Sequence, residues 1–313
     1  MNEEILDERT LETDAPVSVW RLRWGRLKTD RAALLSLLML SLLFAAACCA
    51  QPLEAWLGVS AVEADLLSRF DPPSAQHLLG TDEAGRDELA RLLLGGQTSL
   101  SIGLIGALGA CLIGTLIGAA CGYFRGTTDM VLMRITDFTI AVPHLPILII
   151  LAALDPAKLG FGPSFIRSGA ATYWRIVVIV ILFGWTGIAR LARAASLELA
   201  EREFVLSARA QGGSAWWILF VHIVPNAISP VIVATTIAMG RVMLAEAGLS
   251  FLGLGIHPPA ASWGSMLSNA QVMISTAPRL AVLPGALILV TVVAVNVLGD
   301  GLQAAFDPRR NRE

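Results

Sequence analysis

Six apolar segments dominate the sequence, and each is long enough to cross a lipid bilayer as a helix. About twenty apolar residues suffice, because each residue of a helix advances about 1.5 Å. Only 15% of the residues are charged and the mean hydropathy is +0.66, which is too apolar for a water-soluble chain of 313 residues. We therefore predict an all-α membrane protein with six transmembrane helices. Their approximate ranges are 32–50, 98–122, 132–153, 176–195, 230–250 and 280–302.

The basic residues indicate how these helices are oriented. Fifteen Lys and Arg side chains fall before the first span, in the second and fourth connections or after the last span, whereas seven fall in the alternate connections. Cytoplasmic loops carry the excess of basic residues in membrane proteins. Both termini and the connection at 190–226 are therefore predicted to be cytoplasmic. The net charge of −2 gives no indication of a nucleic-acid partner.

A charged stretch at 198–226 separates the fourth and fifth spans. Each charged group at membrane depth costs about 2.5 to 3.5 kcal/mol, so this stretch lies in water. Gly212 can adopt the left-handed conformation that ends a helix, and Ser214 can cap the next one. We predict two short helices here, of which the second ends at Pro225.

The second of these predicted helices carries much apolar surface and almost no charge, as Trp216, Trp217 and Phe220 illustrate. A water-exposed pair of helices with such a surface either packs against the membrane spans of its own chain or contacts a partner protein. We favour the partner as the interpretation.

The segment 51–97, on the opposite side of the membrane, contains the charged run HLLGTDEAGRDELARLL. Asp82 is predicted to cap a short helix that leads into the second span. Asp82, Arg86 and Asp87 are candidates for a contact at the outer mouth or with a docking protein. A capped surface helix without such a role is the alternative.

Four residues within the apolar spans are candidates for a substrate pathway or for gating: Asp137, Pro143, His144 and Glu246. Prolines in a span free backbone carbonyls, which must find partners or face a cavity. A purely structural kink at Pro143 and a buried ion pair between Glu246 and Arg241 are the alternatives. The histidines lack the spacing of metal ligands, so no metal site is predicted.

The second span carries Gly114, Gly118 and Gly122 at four-residue spacing. A stripe of small residues lets another helix approach closely. The neighbour is either a helix of the same bundle or a helix of another subunit.

Recognisable motifs occur in four separate parts of the chain: GTDEAGRDELARLLLG at 80–95, ARAQG at 208–212 with HIVPN at 222–226, EAGLSFLGLG at 246–255, and NVLGDGLQAAFDPR at 296–309. They resemble stretches of the permease subunits of binding-protein-dependent ABC importers, in particular of the peptide and nickel branch. The separation between Gly212 and Pro225 is also that of the cytoplasmic loop motif in these permeases. The resemblance covers approximately residues 75 to 308.

The resemblance implies a type I ABC importer permease fold. Together with the hydropathy and the distribution of basic residues, it predicts the following division: 1–31 as a cytoplasmic interfacial segment, 32–50 as the first transmembrane anchor, 51–97 as an extracytoplasmic segment, 98–302 as the permease core with a cytoplasmic coupling loop at 196–226, and 303–313 as a cytoplasmic tail.

The function implied is that of one half of the translocation pathway of an ATP-driven importer in the inner membrane of a prokaryote. The substrates would be di- or oligopeptides, with nickel or glutathione as alternatives. The partners would be a second permease subunit, two ATPase subunits, an extracytoplasmic binding protein and membrane lipid. The residues that would couple to the ATPases are Phe204, Val205, Leu206, Ser207, Ala208, Arg209, Ala210, Gln211, Gly212, Ser214, Trp217 and Pro225.

The chain has no phosphate-binding loop, no HExxH and no GxSxG motif. We therefore expect no enzyme activity and no cofactor in this chain, with ATP and Mg²⁺ bound by the partner ATPases. Two alternatives belong to other classes of protein. An intramembrane enzyme would use Asp137, His144 or Glu246, and a passive channel or scaffold would tolerate changes throughout 206–217.

Overall fold

The computed structural model describes residues 25, 27–154, 156–160, 162 and 170–306. Within this part the chain is almost entirely helical, and its one isolated β-bridge joins Thr81 to Asp87. Two 3₁₀ helices lie at Leu66–Ser68 and Pro156–Leu159. A π-helical turn lies at Leu219–Ile223. The α-helices are α1 (Arg31–Cys48), α2 (Ala50–Leu57), α3 (Glu88–Phe124), α4 (Gly126–Ala141), α5 (His144–Ala152), α6 (Ala170–Leu199), α7 (Glu203–Ala210), α8 (Ala215–Ile218), α9 (Val224–Phe251), α10 (Trp263–Gln271) and α11 (Arg279–Phe306).

Five helical segments are long and apolar enough to cross a membrane: α1, α3, α6, the continuous helix Ala215–Phe251, and α11. The pair α4 and α5 supplies a sixth if it is counted as one span with a bend of 90°. The prediction of an all-α membrane protein is confirmed, with the third span in this broken form. Most of the predicted interfacial segment at 1–31, and the tail after Phe306, lie outside the described residues.

Two prolines account for the break between α4 and α5. Val142 is extended, with φ −73° and ψ 132°, because a residue that precedes proline disfavours the helical conformation. Pro143 stands at the N-cap of α5, and Pro146 falls in the first turn, where a proline is tolerated. The predicted interruption of the third span is therefore present as two helices rather than as one kinked helix.

The most extensive helix packing joins α3 to α6, and the glycines of α3 permit it. A Cβ atom added at Gly114 would lie 2.6 Å from the carbonyl oxygen of Trp185. One added at Gly122 would lie 2.6 Å from the carbonyl oxygen of Arg193. No side chain fits at these distances, so only glycine permits this close approach. The neighbour of the glycine stripe is therefore α6 of the same chain.

The second predicted span begins earlier than the sequence indicates, at Glu88 rather than at 98. The prediction that Asp82 caps this helix is wrong, because the cap is Asp87, whose Oδ1 accepts the N–H of Ala90 at 2.8 Å. Asp82 instead accepts the N–H of Arg86 at 3.0 Å and fixes the turn that precedes the helix. Hydropathy places the apolar part of α3 and misses its polar first turns.

The C-terminal half packs against the start of α3. Ser262 caps α10 in a reciprocal arrangement with Ser265, which aims the following Trp263 into the core. The indole N–H of Trp263 donates to the carbonyl of Leu92 on α3 at 2.9 Å. The main core cluster therefore joins α1, α3, α9, α10 and α11.

Candidate docking groove and intramembrane polar groups

The charged stretch between α6 and α9 folds as a compact hairpin, 203–223, that contains α7 and α8. Gly212 has φ +81°, and the N–H of Gly213 donates to the carbonyl of Ala208 at 3.0 Å. Glycine adopts this helix-ending geometry without the strain that other residues incur. The Oγ of Ser214 accepts the N–H of Trp217 at 3.3 Å and caps α8. The predictions for Gly212 and Ser214 are confirmed.

The predicted end of the second helix at Pro225 is wrong. α8 continues through a π-helical turn at Leu219–Ile223 into α9, so that Ala215–Phe251 is one helix of 37 residues. In the π turn the N–H of Val224 donates to the carbonyl five residues earlier. Pro225 follows in the first turn of α9, where its missing N–H disrupts no regular helix bond.

A groove of about 630 Å³ opens between α7, the glycine turn and α8. Seven of the twelve predicted coupling residues line it: Phe204, Ser207, Ala208, Gln211, Gly212, Ser214 and Trp217. Two further lining residues, Gly213 and His222, are absent from the predicted set. Among the remaining predicted residues, Leu206, Arg209, Ala210 and Pro225 are exposed, and Val205 is buried beneath the hairpin.

The hairpin has a buried underside and an uncovered outer surface. Val205, Ala208, Ile218, Leu219 and Ile223 form a buried cluster under it. On the exposed face of the hairpin four aromatic side chains are about half exposed: Phe204 (42%), Trp216 (59%), Trp217 (48%) and Phe220 (51%). The hairpin is therefore anchored by its own core while a large apolar surface remains open, which is typical of a protein contact.

Side chains at the end of α3 hold the hairpin in place. Arg125 forms an ion pair at 2.8 Å with Glu201, two residues before the hairpin, and the guanidinium of Arg209 in the hairpin lies 5.3 Å from the ring centroid of Tyr123. An exposed ion pair and a cation–π contact each contribute about 1 kcal/mol or less. Together with the buried cluster they fix the hairpin relative to the long helices.

His222 lies in the π turn and was not selected from the sequence, although it begins the HIVPN motif. Its ring contacts that of Trp217, with the centroids 4.8 Å apart. Its Nε2 atom is buried and has no hydrogen-bond partner among the described residues. Its backbone carbonyl accepts the side-chain N–H of Asn226 at 2.7 Å. Sequence patterns do not indicate this environment, which depends on the π turn.

The candidates of the third span lie together along α6. Asp137 forms an ion pair with Arg190 at 2.6 Å. The exposed ring of His144, directly after Pro143, packs edge-on against Phe183 with the centroids 5.7 Å apart. Over the residues described, no group of three or more His, Cys, Asp and Glu side chains is arranged to hold a metal ion.

Glu246 occupies a different environment from the other three candidates. It is 1% exposed, and its carboxylate accepts hydrogen bonds from Ser99 at 3.1 Å and Ser250 at 2.7 Å. The predicted pairing with Arg241 is wrong, because Arg241 lies at the surface and serines surround Glu246. The carboxylate therefore links α3 to α9 inside the bundle.

The outer candidates belong to a buried cluster of charges. The Oδ2 atom of Asp82 lies 2.8 Å from Nε of Arg86 and 3.2 Å from Nε of Arg91. Asp87, besides capping α3, lies 3.0 Å from Nδ1 of His77. The carboxylates of Asp82 and Asp87 are almost fully buried, so these residues organise the segment that precedes α3.

Long apolar helices, together with a hairpin that stands outside them and leaves an aromatic groove open, define an integral membrane protein of the transporter permease class. Residues 114–312 match the family described as binding-protein-dependent transport system inner membrane component. The chain belongs to this family and is a multi-pass protein of the inner membrane.

Relatives with established descriptions resemble the chain over nearly its whole length. The glutathione transport system permease protein GsiD of Pectobacterium atrosepticum is 37% identical over 93% of this chain and 91% of its own. The dipeptide transport system permease protein DppC of Alkalihalophilus pseudofirmus is 36% identical over 94% and 91%. The oligopeptide transport system permease protein OppC of Bacillus subtilis is 33% identical over 94% and 90%.

Proposed function

We propose that the chain imports di- or oligopeptides, as one half of the translocation pathway of an ATP-driven importer. The observation that carries the proposal is the open groove on a hairpin that is rigidly joined to a membrane-crossing helix. Permease relatives named for dipeptide and oligopeptide transport support the substrate class. The relative named for glutathione, itself a small peptide, makes glutathione the second candidate.

The proposed complex contains a second permease subunit, two ATPase subunits and an extracytoplasmic binding protein. ATP and Mg²⁺ would be bound by the ATPases, since this sequence has no phosphate-binding loop. With both termini in the cytoplasm, the hairpin meets the ATPases on that side. The exposed rings around the groove supply the apolar contact that docking of a short helical element requires.

In this mechanism the ATPases move the hairpin, and the hairpin moves the membrane helices. ATP binding draws the two ATPases together, and each carries its docked groove with it. Because α8, the π turn and α9 form one helix, displacement of the groove passes directly into the bundle. The pathway then changes from outward to inward opening.

The test is the substitution Gly212→Asp in the complete complex. A side chain and a charge at a φ of +81° strain the turn and obstruct the groove. We expect normal amounts of the variant in the membrane, ATP hydrolysis that no longer responds to substrate, and loss of uptake.

Gly58→Asp is the matched control, because Gly58 also has a positive φ, of 65°, with open space around it, and follows α2 far from the groove. This control should retain coupled uptake. Normal coupled uptake by Gly212→Asp would contradict the role assigned to the hairpin.

A further inference from the structure

α4 presents an apolar stripe away from the rest of the chain. Val131, Ile135 and Phe138 recur at helical spacing, and their side chains are 49%, 50% and 71% exposed. Only Thr136 is fully buried among the residues of α4. An exposed apolar stripe on a membrane-embedded helix is suited to lipid.

A second exposed stripe, adjacent to the first on the same helix, is charged. Arg134 and Asp137 lie one turn apart on it, and both are exposed. Asp137 pairs with Arg190 of α6, and these two side chains are 50% and 51% exposed. By helix rise, Asp137 lies about 8 Å from the start of the predicted third span (132–153) and Arg190 about 8 Å from the end of the predicted fourth span (176–195). Charged groups within a span face an interior or a water-filled cavity, not hydrocarbon.

The ion pair continues an open strip along α6. Phe183, Gly187 and Arg190 share one face of this helix, since they are spaced by four and three residues. A Cβ atom at Gly187 would have no neighbour within 4 Å. At the far end of the strip, His144 packs against Phe183. We call the face formed by His144, Phe183, Gly187, Arg190 and Asp137 the open strip.

We propose that the open strip is the water-lined wall of the translocation route, and that Asp137 and Arg190 meet the charged ends of a passing peptide. This inference rests on the proposed function. A carboxylate and a guanidinium side by side offer a partner for the amino group and for the carboxylate of a zwitterionic chain. Glycine at 187 leaves room beside Arg190 for the peptide backbone. The apolar stripe of α4 would face lipid at the same depth.

The first experiment measures which stripe is in contact with water. Single cysteines are introduced at Gly187, at Asp137 and at Ile135 in a chain whose native Cys48, Cys49, Cys111 and Cys121 are replaced by alanine. The complete complex is then treated in inverted and right-side-out vesicles with a charged, membrane-impermeant thiosulfonate. Ile135 is the matched control, because it is as exposed as Asp137 and only two residues away on the same helix.

Cysteine reacts as the thiolate, which needs water to form. We expect Gly187→Cys and Asp137→Cys to react at least about tenfold faster than Ile135→Cys in one of the two vesicle orientations, because thiolate formation is favoured only on the hydrated face. Equal rates at the three positions would overturn the proposal. If Gly212→Asp still uncoupled the complex in that case, the proposed function would stand without the open strip.

The second experiment tests the ligand. Uptake of a dipeptide with a free carboxyl terminus is compared with uptake of its C-terminal amide, for the wild type and for Arg190→Gln. We expect Arg190→Gln to reduce the wild-type preference for the free carboxylate at least about tenfold, since a charge-assisted hydrogen bond is lost. An equal loss for both peptides would indicate a structural ion pair and would overturn the substrate contact. Failure of the wild-type complex to take up either peptide would instead contradict the proposed substrate class.

Discussion

The polar side chains near the two ends of the helix Ala215–Phe251 differ in their hydrogen bonding. Near one end Glu246 is buried, and both of its carboxylate oxygens accept hydrogen bonds, from Ser99 and Ser250. At the other end the Nε2 atom of His222 has no partner among the described residues, and the rings beside it are half exposed. A polar group that is satisfied inside the chain stabilises the fold, whereas an unsatisfied one beside open apolar surface is suited to a contact with another molecule.

The outer charge cluster is of the first kind. Asp82 is shared by Arg86 and Arg91, and all three side chains are less than a tenth exposed. This arrangement favours an architectural role for Asp82 over a direct contact at the outer mouth. The comparison therefore separates candidates that look alike in the sequence. Substitution of a buried, satisfied group should lower the stability, whereas substitution in the open groove should abolish uptake and leave the stability nearly unchanged.

The largest effect on stability is expected for Asp82→Ala. The substitution removes the carboxylate that Arg86 and Arg91 share. Arg86 keeps Glu83 at 3.1 Å, whereas the buried Arg91 loses its ion-pair partner, and breaking a buried ion pair in this way costs about 3 to 5 kcal/mol. The amount of protein in the membrane and its thermal unfolding in detergent should both fall sharply. A variant of normal stability that had lost uptake would place Asp82 at a functional contact and break the comparison.

A smaller loss is expected at Glu246. Glu246→Leu leaves the hydroxyls of Ser99 and Ser250 without their acceptor, at a cost of about 1 to 3 kcal/mol. Glu246→Gln keeps an acceptor oxygen in the same place and should cost about 1 kcal/mol, the value of one hydrogen bond. Thermal unfolding of the two variants tests this order. Equal unfolding temperatures together with unequal uptake would indicate that the carboxylate acts in transport.

The smallest effect on stability is expected in the groove. Ser207→Trp fills the groove from the exposed side of α7, so the free energy of unfolding should change by no more than about 0.5 kcal/mol. Uptake should nevertheless be lost because the proposed ATPase partner can no longer dock. Thr128→Trp, at an exposed position of α4 outside the groove lining, should leave uptake intact. Coupled uptake by Ser207→Trp would show that the groove remains empty in the complex.

Features fixed by neighbouring residues could be predicted from the sequence. The left-handed Gly212, the cap at Ser214 and the apolar centres of the long helices each depend on a few adjacent residues. The break at Pro143 is of the same kind, because proline restricts both itself and the residue before it.

Features that depend on distant contacts could not be predicted in this way. The serine partners of Glu246 include Ser99, which is 147 positions away in the chain. The continuation of the helix through Pro225 depends on a π turn, which has no simple sequence pattern. The groove exists only because α7 and α8 pack over a common buried cluster, so its lining could be predicted only in part.

Because Ala215–Phe251 is one continuous helix, a small rotation at the hairpin produces a large displacement at the far end. At about 1.5 Å per residue, these 37 residues form a lever arm about 55 Å long. If this arm tilted by about 5°, its far end would shift by about 5 Å, which is roughly the rise of one helical turn. A small movement of the proposed ATPase partners would therefore suffice to shift the end of the helix near Glu246 by the width of a side chain.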